Sequence, residues 1–305
     1  MPRKTIRRAL LVGALAIAAS TFAAPSPAGA VIIGVGDNGP HMFDDANYQA
    51  LATPISRKIV PWDFYKHQWE IDQLDLWIAG ATRQNVQPLI AFNHSAAEPR
   101  KLPSVGEYRQ ALTTLLARYP GIKTVSPWNE ANHHTQPTSR NPKRAAQYFN
   151  ATRSICRGCR IVAADVLDQK NMIPWLKKFR KSAKKAKLWG LHSYADANKN
   201  IPYKKSQLKK LAGAVPGRIW LTEVGGLVAF SKTFPYNEAR AARATANTVK
   251  LAKANKRVER IYFYSWYGTD HGPILKKPYK WDSGLVSAAG APRPAYFTLK
   301  KYLGK

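Results

Sequence analysis

The chain has 305 residues, 48 of them Lys or Arg against 18 Asp or Glu, and only two cysteines. One domain of the α/β-barrel size class accounts for the length. The formal charge of +30 points toward anionic partners, but the basic runs lack interleaved aromatics, so nucleic acid is not expected.

Residues 1–30 read as a secretory signal peptide. Arg3, Lys4, Arg7 and Arg8 form a cationic start, Ala9 to Ala24 an apolar stretch, and Ala28-Gly29-Ala30 a small-residue cleavage site. An uncleaved anchor is the other reading, but the apolar run falls short of the ~20 residues a span requires. Cleavage leaves residues 31–305 as a single domain, secreted and without a membrane span. Removing four basic residues leaves 44 − 18 = +26. Much of that excess lies between Lys177 and Lys187 and at Lys204, Lys205, Lys209 and Lys210. It is either the solvated outer face of helices or a surface drawn to an anionic cell-wall polymer or charged polysaccharide.

From Val31 onward, strand-like and helix-like segments alternate. Candidate strands begin at Val31, Ile55, Val86, Ile122, Arg160, Lys187, Arg218 and Glu259. Amphipathic stretches separate them: Asp44–Leu51, Asp63–Thr82, Val105–Tyr119, Pro142–Ser154, Met172–Lys185, Tyr203–Leu211 and Tyr236–Ala254, with Ala295–Leu303 last. Ser104 with Glu107 makes a capping box, and Asn141-Pro142 an N-cap followed by proline. Eight strands each followed by a helix predict a (β/α)8 TIM barrel in the α/β class. An open doubly wound sheet would want G-x-G-x-x-G after the first strand, and Gly34-Val35-Gly36-Asp37-Asn38-Gly39 does not lead into a helix in that way. Cys156 and Cys159 are expected to pair as a local disulfide outside the cell, a loop clamp more than a staple. A zinc site would want about four ligands, and no second cysteine pair exists.

Acids are scarce, so their positions inform. Glu70, Glu107 and Glu238 fall in helices, Glu259 opens a strand, and Glu98 sits in a loop. Only Glu130, in Trp128-Asn129-Glu130, and Glu223, in Thr222-Glu223-Val224-Gly225-Gly226, directly end strands, the fourth and the seventh. A barrel's chemistry sits at those C-terminal ends. Two carboxylates facing each other there suit glycosidic bond cleavage, one giving a proton and the other attacking or stabilising the anomeric carbon. Taken one at a time, each could equally be a structural partner for a barrel arginine.

The pattern resembles the clan A retaining glycoside hydrolases, (β/α)8 barrels with an Asn-Glu acid/base after strand four and a Glu nucleophile after strand seven. The resemblance implies that Glu130 is the acid/base, Glu223 the nucleophile, and Asn129 a partner of the sugar 2-hydroxyl. It further implies that Tyr194 in Leu-His-Ser-Tyr holds the nucleophile and that Trp266 in Phe-Tyr-Ser-Trp-Tyr lies under the sugar. Asp282-Ser283-Gly284-Leu285 and Pro292-Arg293-Pro294-Ala295-Tyr296 look like the tail of several such enzymes. Ala131 stands where such enzymes commonly have proline, so the clan is indicated and no individual family.

Further substrate contacts are expected from Trp62, Trp128, His192, Asp37, Arg57 and Asn93. Aromatic rings suit the C–H faces of sugars, although barrel cores also use them; Trp62 fits core and subsite equally. Arg57 either orients Glu223 or makes an internal ion pair, and Asp37 either meets sugar hydroxyls or caps a loop. His192 is placed near the nucleophile. No cofactor or metal is expected: the first strand has no H-x-H, and H-E-x-x-H is absent. The function expected is a secreted glycosidase, a monomer acting on a poly- or oligosaccharide. The alternatives are a non-catalytic wall-binding barrel and a metal-dependent barrel hydrolase.

Overall fold

The β-branched and aromatic runs form strands, as expected. The computed structural model describes residues 30–272 and 278–305, so the expected signal segment up to residue 29 lies outside the described residues. The strands are β1 (Ile32–Gly36), β2 (Ile55–Pro61), β3 (Gln87–Asn93), β4 (Thr124–Ser126), β5 (Arg160–Ile161) and β6 (Asp165–Leu167). They continue with β7 (Leu188–His192), β8 (Arg218–Val224), β9 (Ala229–Ser231), β10 (Val258–Tyr264) and β11 (Tyr279–Asp282). Two parallel arrays result, β1-β10-β8-β7-β6 and β2-β3-β4-β5. β5 and β6 are two pieces of one segment that passes from β4 to β7. Val162 N donates to Val125 O (3.0 Å), and Ala163 N then donates to Leu188 O (2.8 Å).

At the other seam β1 lies directly against β2. Ser56 Oγ donates to Val35 O at 2.6 Å, and a Cβ at Gly34 would overlap the Ile55 carbonyl. Only glycine allows that approach. Eight strand positions therefore make a (β/α)8 barrel. β9 and β11 pair antiparallel outside it.

The helices are α1 (Ala46–Leu51), α2 (Gln68–Arg83), α3 (Val105–Arg118), α4 (Pro142–Ile155), α5 (Met172–Arg180), α6 (Tyr194–Asn198), α7 (Gln207–Ala214), α8 (Glu238–Lys253) and α9 (Pro294–Tyr302). Ser104 and Glu107 form the reciprocal capping box. Pro142 opens α4 as expected, whereas the Asn141 side chain makes no capping bond. α5 stops at Arg180 and does not reach Lys185. Its continuation is dense in lysines, which repel at helical spacing, and Lys185 has a left-handed φ of 55°. Cys156 and Cys159 are joined in a disulfide just after α4, Cα–Cα 5.4 Å. Among the described residues no helix is long and apolar enough to cross a membrane.

Alternation along the strands layers the barrel interior. Its floor is apolar: Ile55, Leu89, Val162, Trp220 and Tyr262 pack together. Two residues further along β2 comes Arg57, and further along the segment of β5 and β6 comes Asp165, both buried. The carboxylates of the rim stand on this polar storey.

Candidate active site

Glu223 owes its direction to a bulge. Between Gly190 and His192, β7 advances two residues while β8 advances three, from Trp220 to Glu223; β8 is likewise one residue long against β10, between Leu221 and Val224. A bulge re-aims side chains, and here Thr222 and Glu223, neighbours in sequence, both face the barrel axis. The Thr222 hydroxyl donates to Asp165 Oδ1, while Glu223 accepts from Arg57 Nη1 at 2.7 Å and from the Tyr194 hydroxyl at 3.0 Å. Gly190 makes room for this crossing. A Cβ there would overlap Asp165 Oδ1 and lie 2.7 Å from Thr222 Oγ1.

Glu130 arrives differently. Its backbone is left-handed, φ 43°, which costs a non-glycine residue about 1–2 kcal/mol. The turn is pinned on both sides: Asn129 N donates to Phe92 O (2.6 Å) and Ala131 N to Asp165 O (2.9 Å). The Glu130 Oε1 meets His192 Nδ1 at 3.1 Å, and His192 Nε2 meets Asp165 Oδ1 at 3.2 Å. Arg57 Nη2 donates to Asn129 Oδ1 at 2.6 Å and to Asp165 Oδ2 at 3.0 Å. One carboxylate oxygen of Glu130, one of Glu223 and a His192 ring nitrogen all lie within 4.8 Å of one another.

Charge follows from this geometry. Burial pushes the His192 imidazolium down, but Asp165 and Glu223 outweigh it and hold its pKa at about 10. Burial pushes the Glu130 carboxyl up, yet the hydrogen bond and charge of His192 prevail and the net direction is down. Asp165 is also buried, and His192 with Arg57 holds it far below the usual carboxylate range. Two carboxylates and an imidazole converge, so a cation could be accommodated by Glu130, His192 and Glu223. The Arg57 guanidinium and the His192 imidazolium already occupy the cationic role there, which opposes a resident metal.

Above the carboxylates lies a cavity of about 620 Å³. Glu130, His133, Asp168, Tyr194, Glu223 and Tyr264 line it, with Phe230, Phe234 and Trp281 forming an aromatic wall. The wall is built by β9 and β11: Trp281 meets Phe230 edge to face at 4.9 Å and Tyr194 at 4.8 Å. Asp168 accepts from the Ala195 amide at 2.7 Å; burial and the charge of Asp196 push its carboxyl up to about 8.

The structure brings together Glu130, Glu223, Asn129, His192, Tyr194 and Arg57, and Arg57 both braces Glu223 and makes the internal ion pair with Asp165. Other expected contacts are placed elsewhere. Trp128 is buried against Tyr148, ring centroids 5.3 Å apart, and donates to Gln136. Trp266 packs against Tyr48 and donates to Asp45, so it serves the core and is not a sugar platform. Trp62 is fully buried, with the Lys66 and Lys101 ammoniums over its ring at 4.9 and 5.4 Å. Asp37 is a loop cap: it accepts from Gly39 N at 2.8 Å and from Trp266 N at 2.9 Å. Asn93 closes β3 without lining the cavity. The strand-end tryptophans turn toward the helix layer here, and the platform comes instead from β9 and β11, outside the barrel, with Phe234 beside them. Sequence reasoning missed Asp165, whose signal is a lone acid within the otherwise apolar run 161–167, and the trio Phe230, Phe234 and Trp281.

The model of the family described as glycosyl hydrolase catalytic core matches residues 103–294, more than half of the chain. The protein belongs to this family. It is therefore a glycosidase, and its barrel is that of the clan A glycoside hydrolases, as the sequence resemblance implied. Solved structures share the fold at low identity. A GH10 endoxylanase from a sugarcane soil metagenome superposes with TM-score 0.65 at 16% identity, covering 90% of this chain and 96% of that one. A GH5_18 protein from Streptomyces cattleya in complex with GlcNAc gives 0.66 at 16%, covering 91% and 80%. Xylanase 10B from Thermotoga maritima gives 0.63 at 14%, covering 90% and 95%. No curated protein sequence matches this glycosyl hydrolase.

Proposed function

We propose that the protein is a secreted, retaining glycoside hydrolase that cleaves a poly- or oligosaccharide by double displacement, with Glu223 as nucleophile and Glu130 as acid/base. The observation that carries this reading is the spacing of the two carboxylates, with oxygens inside 4.8 Å at the floor of an open cavity. Retaining enzymes hold their carboxyl groups about 5–5.5 Å apart, whereas inverting enzymes need about 6.5–9.5 Å to admit a water between them.

The roles follow from the partners. Glu223 receives two donors, the Arg57 guanidinium and the Tyr194 hydroxyl, which orient an attacking carboxylate and disperse its charge. Glu130 is instead joined to a proton-bearing group, His192, through one hydrogen bond. A sugar ring lying against Trp281 and Phe230 presents its anomeric carbon to Glu223. As the C1–O bond breaks and C1 bonds to the Glu223 oxygen, the leaving oxygen takes a proton from Glu130, which His192 supplies through the 3.1 Å contact. Water then gives its proton to Glu130 and attacks C1, releasing Glu223. The disulfide and the expected signal segment support export.

A panel of polysaccharides assayed for new reducing ends tests the reading, with wild type beside Glu223→Gln and Glu130→Gln. Each substitution is expected to slow turnover by about 10²–10⁴-fold or more. Equal turnover by all three proteins refutes it. N-terminal sequencing of the protein from culture medium tests export, with Val31 as the expected first residue.

A further inference from the structure

A second cavity, of about 390 Å³, lies between α6 and α8. It is markedly cationic. Arg240, Arg243 and Lys250, spaced along one face of α8 with Asn247 between the last two, face Lys199 just beyond α6. Among the described residues no carboxylate lies within salt-bridge distance of any of these four cations. The nearby acids are engaged elsewhere: Asp196 accepts the Gln207 and Leu208 amides, and Glu238 pairs with Arg293 at 3.2 Å. Arg240 spends its Nη2 on the carbonyls of Leu227, Val228 and Pro235, which fixes it at the rim, and its Nε has no partner. Burial, and after it the like charge of Arg243, disfavours the charged form of Arg240. Fixed like charges without a counter-ion raise the energy of the protein alone and lower it when an anion arrives.

Lys199 lines this groove and the catalytic cavity alike. A chain threading the catalytic cavity can therefore lay its next units along α8. We propose that the groove between α6 and α8 is an anion subsite continuous with the catalytic cavity, and that the substrate is a polysaccharide bearing carboxylate or phosphate groups. The subsite stands on its own geometry; its assignment to substrate rests on the glycosidase reading. Bidentate recognition of either anion is what exposed arginine supplies best.

The test measures binding apart from turnover. The mature protein carrying Glu223→Gln is run in affinity gels containing carboxymethyl cellulose, phosphorylated dextran, or neutral hydroxyethyl cellulose. Arg243→Gln with Lys250→Gln is compared with Lys177→Gln with Lys178→Gln, a pair on α5 that removes the same charge. The α8 pair is expected to weaken binding to at least one of the anionic polymers about tenfold at low salt, with high salt removing the difference. The α5 pair should leave binding near its starting value. Whichever anionic polymer responds names the charged group. Equal losses from both pairs, or equal affinity for the neutral polymer, overturn the subsite. Full hydrolysis by Glu223→Gln would overturn the glycosidase mechanism while leaving the subsite result standing.

Discussion

Arg57→Met removes the residue on which both carboxylates' surroundings depend. Arg57 is buried and binds Glu223 Oε2 (2.7 Å), Asn129 Oδ1 (2.6 Å) and Asp165 Oδ2 (3.0 Å). Methionine fills similar volume but leaves Asp165, fully buried, with His192 as its remaining cationic partner. Breaking a buried pair by deleting one member costs about 3–5 kcal/mol. The domain from Val31 to Lys305 has 305 − 30 = 275 residues. At about 2.1 cal/mol/K per residue its melting entropy is roughly 0.58 kcal/mol/K, so the melting temperature should fall by about 5–9 °C. Calorimetry at neutral pH reads this directly. Arg57→Lys keeps the charge but cannot bridge three acceptors with a planar fork, so it should melt between the two and still lose turnover. A methionine variant melting within about a degree of wild type, with turnover intact, would refute the bracing role.

Gly190→Ala should destabilise the domain by about 1–3 kcal/mol, because the added methyl overlaps Asp165 and Thr222. Turnover should fall with it, since Asp165 anchors His192; an unchanged melting curve would count against that packing. The His192 pKa is about 10 in the fold and about 6.5 when unfolded. A raised folded value stabilises fully below the unfolded value, so this contribution is present below about pH 6.5 and is lost as pH climbs toward 10. Denaturation of wild type and His192→Asn between pH 6 and pH 10 should show that alkaline slope only in wild type, and parallel curves would deny the charged histidine.

Much of this molecule was legible in the sequence because barrels repeat. Eight apolar runs alternating with amphipathic ones dictated the fold, and two glutamates in an acid-poor chain marked the candidate site, although Glu130 sits in a turn beyond β4 and does not end the strand itself. Glu223 meets Arg57 and Tyr194 as expected, whereas His192, expected beside the nucleophile, bonds Glu130 at 3.1 Å and lies 3.9 Å from Glu223. The aromatic residues were harder to place, since a tryptophan at a strand end can face either the axis or the helix layer, and one residue of register decides. Trp128 and Trp266 went outward. The bulge at Thr222 and Glu223 has no local sequence signature, and it is what turns both side chains inward, Thr222 onto Asp165 and Glu223 onto Arg57. The wall of Phe230, Phe234 and Trp281 depends on pairing between β9 and β11, some fifty residues apart, which no local pattern encodes.

The central claim is that two carboxylates this close pass the sugar through a bond to Glu223. Proton NMR of the first product formed, read before mutarotation, tests it most directly once the polysaccharide panel has supplied a substrate. The account predicts a product with the same anomeric configuration as the bond that was cleaved. An inverted first product would mean that water, and not Glu223, attacks the anomeric carbon.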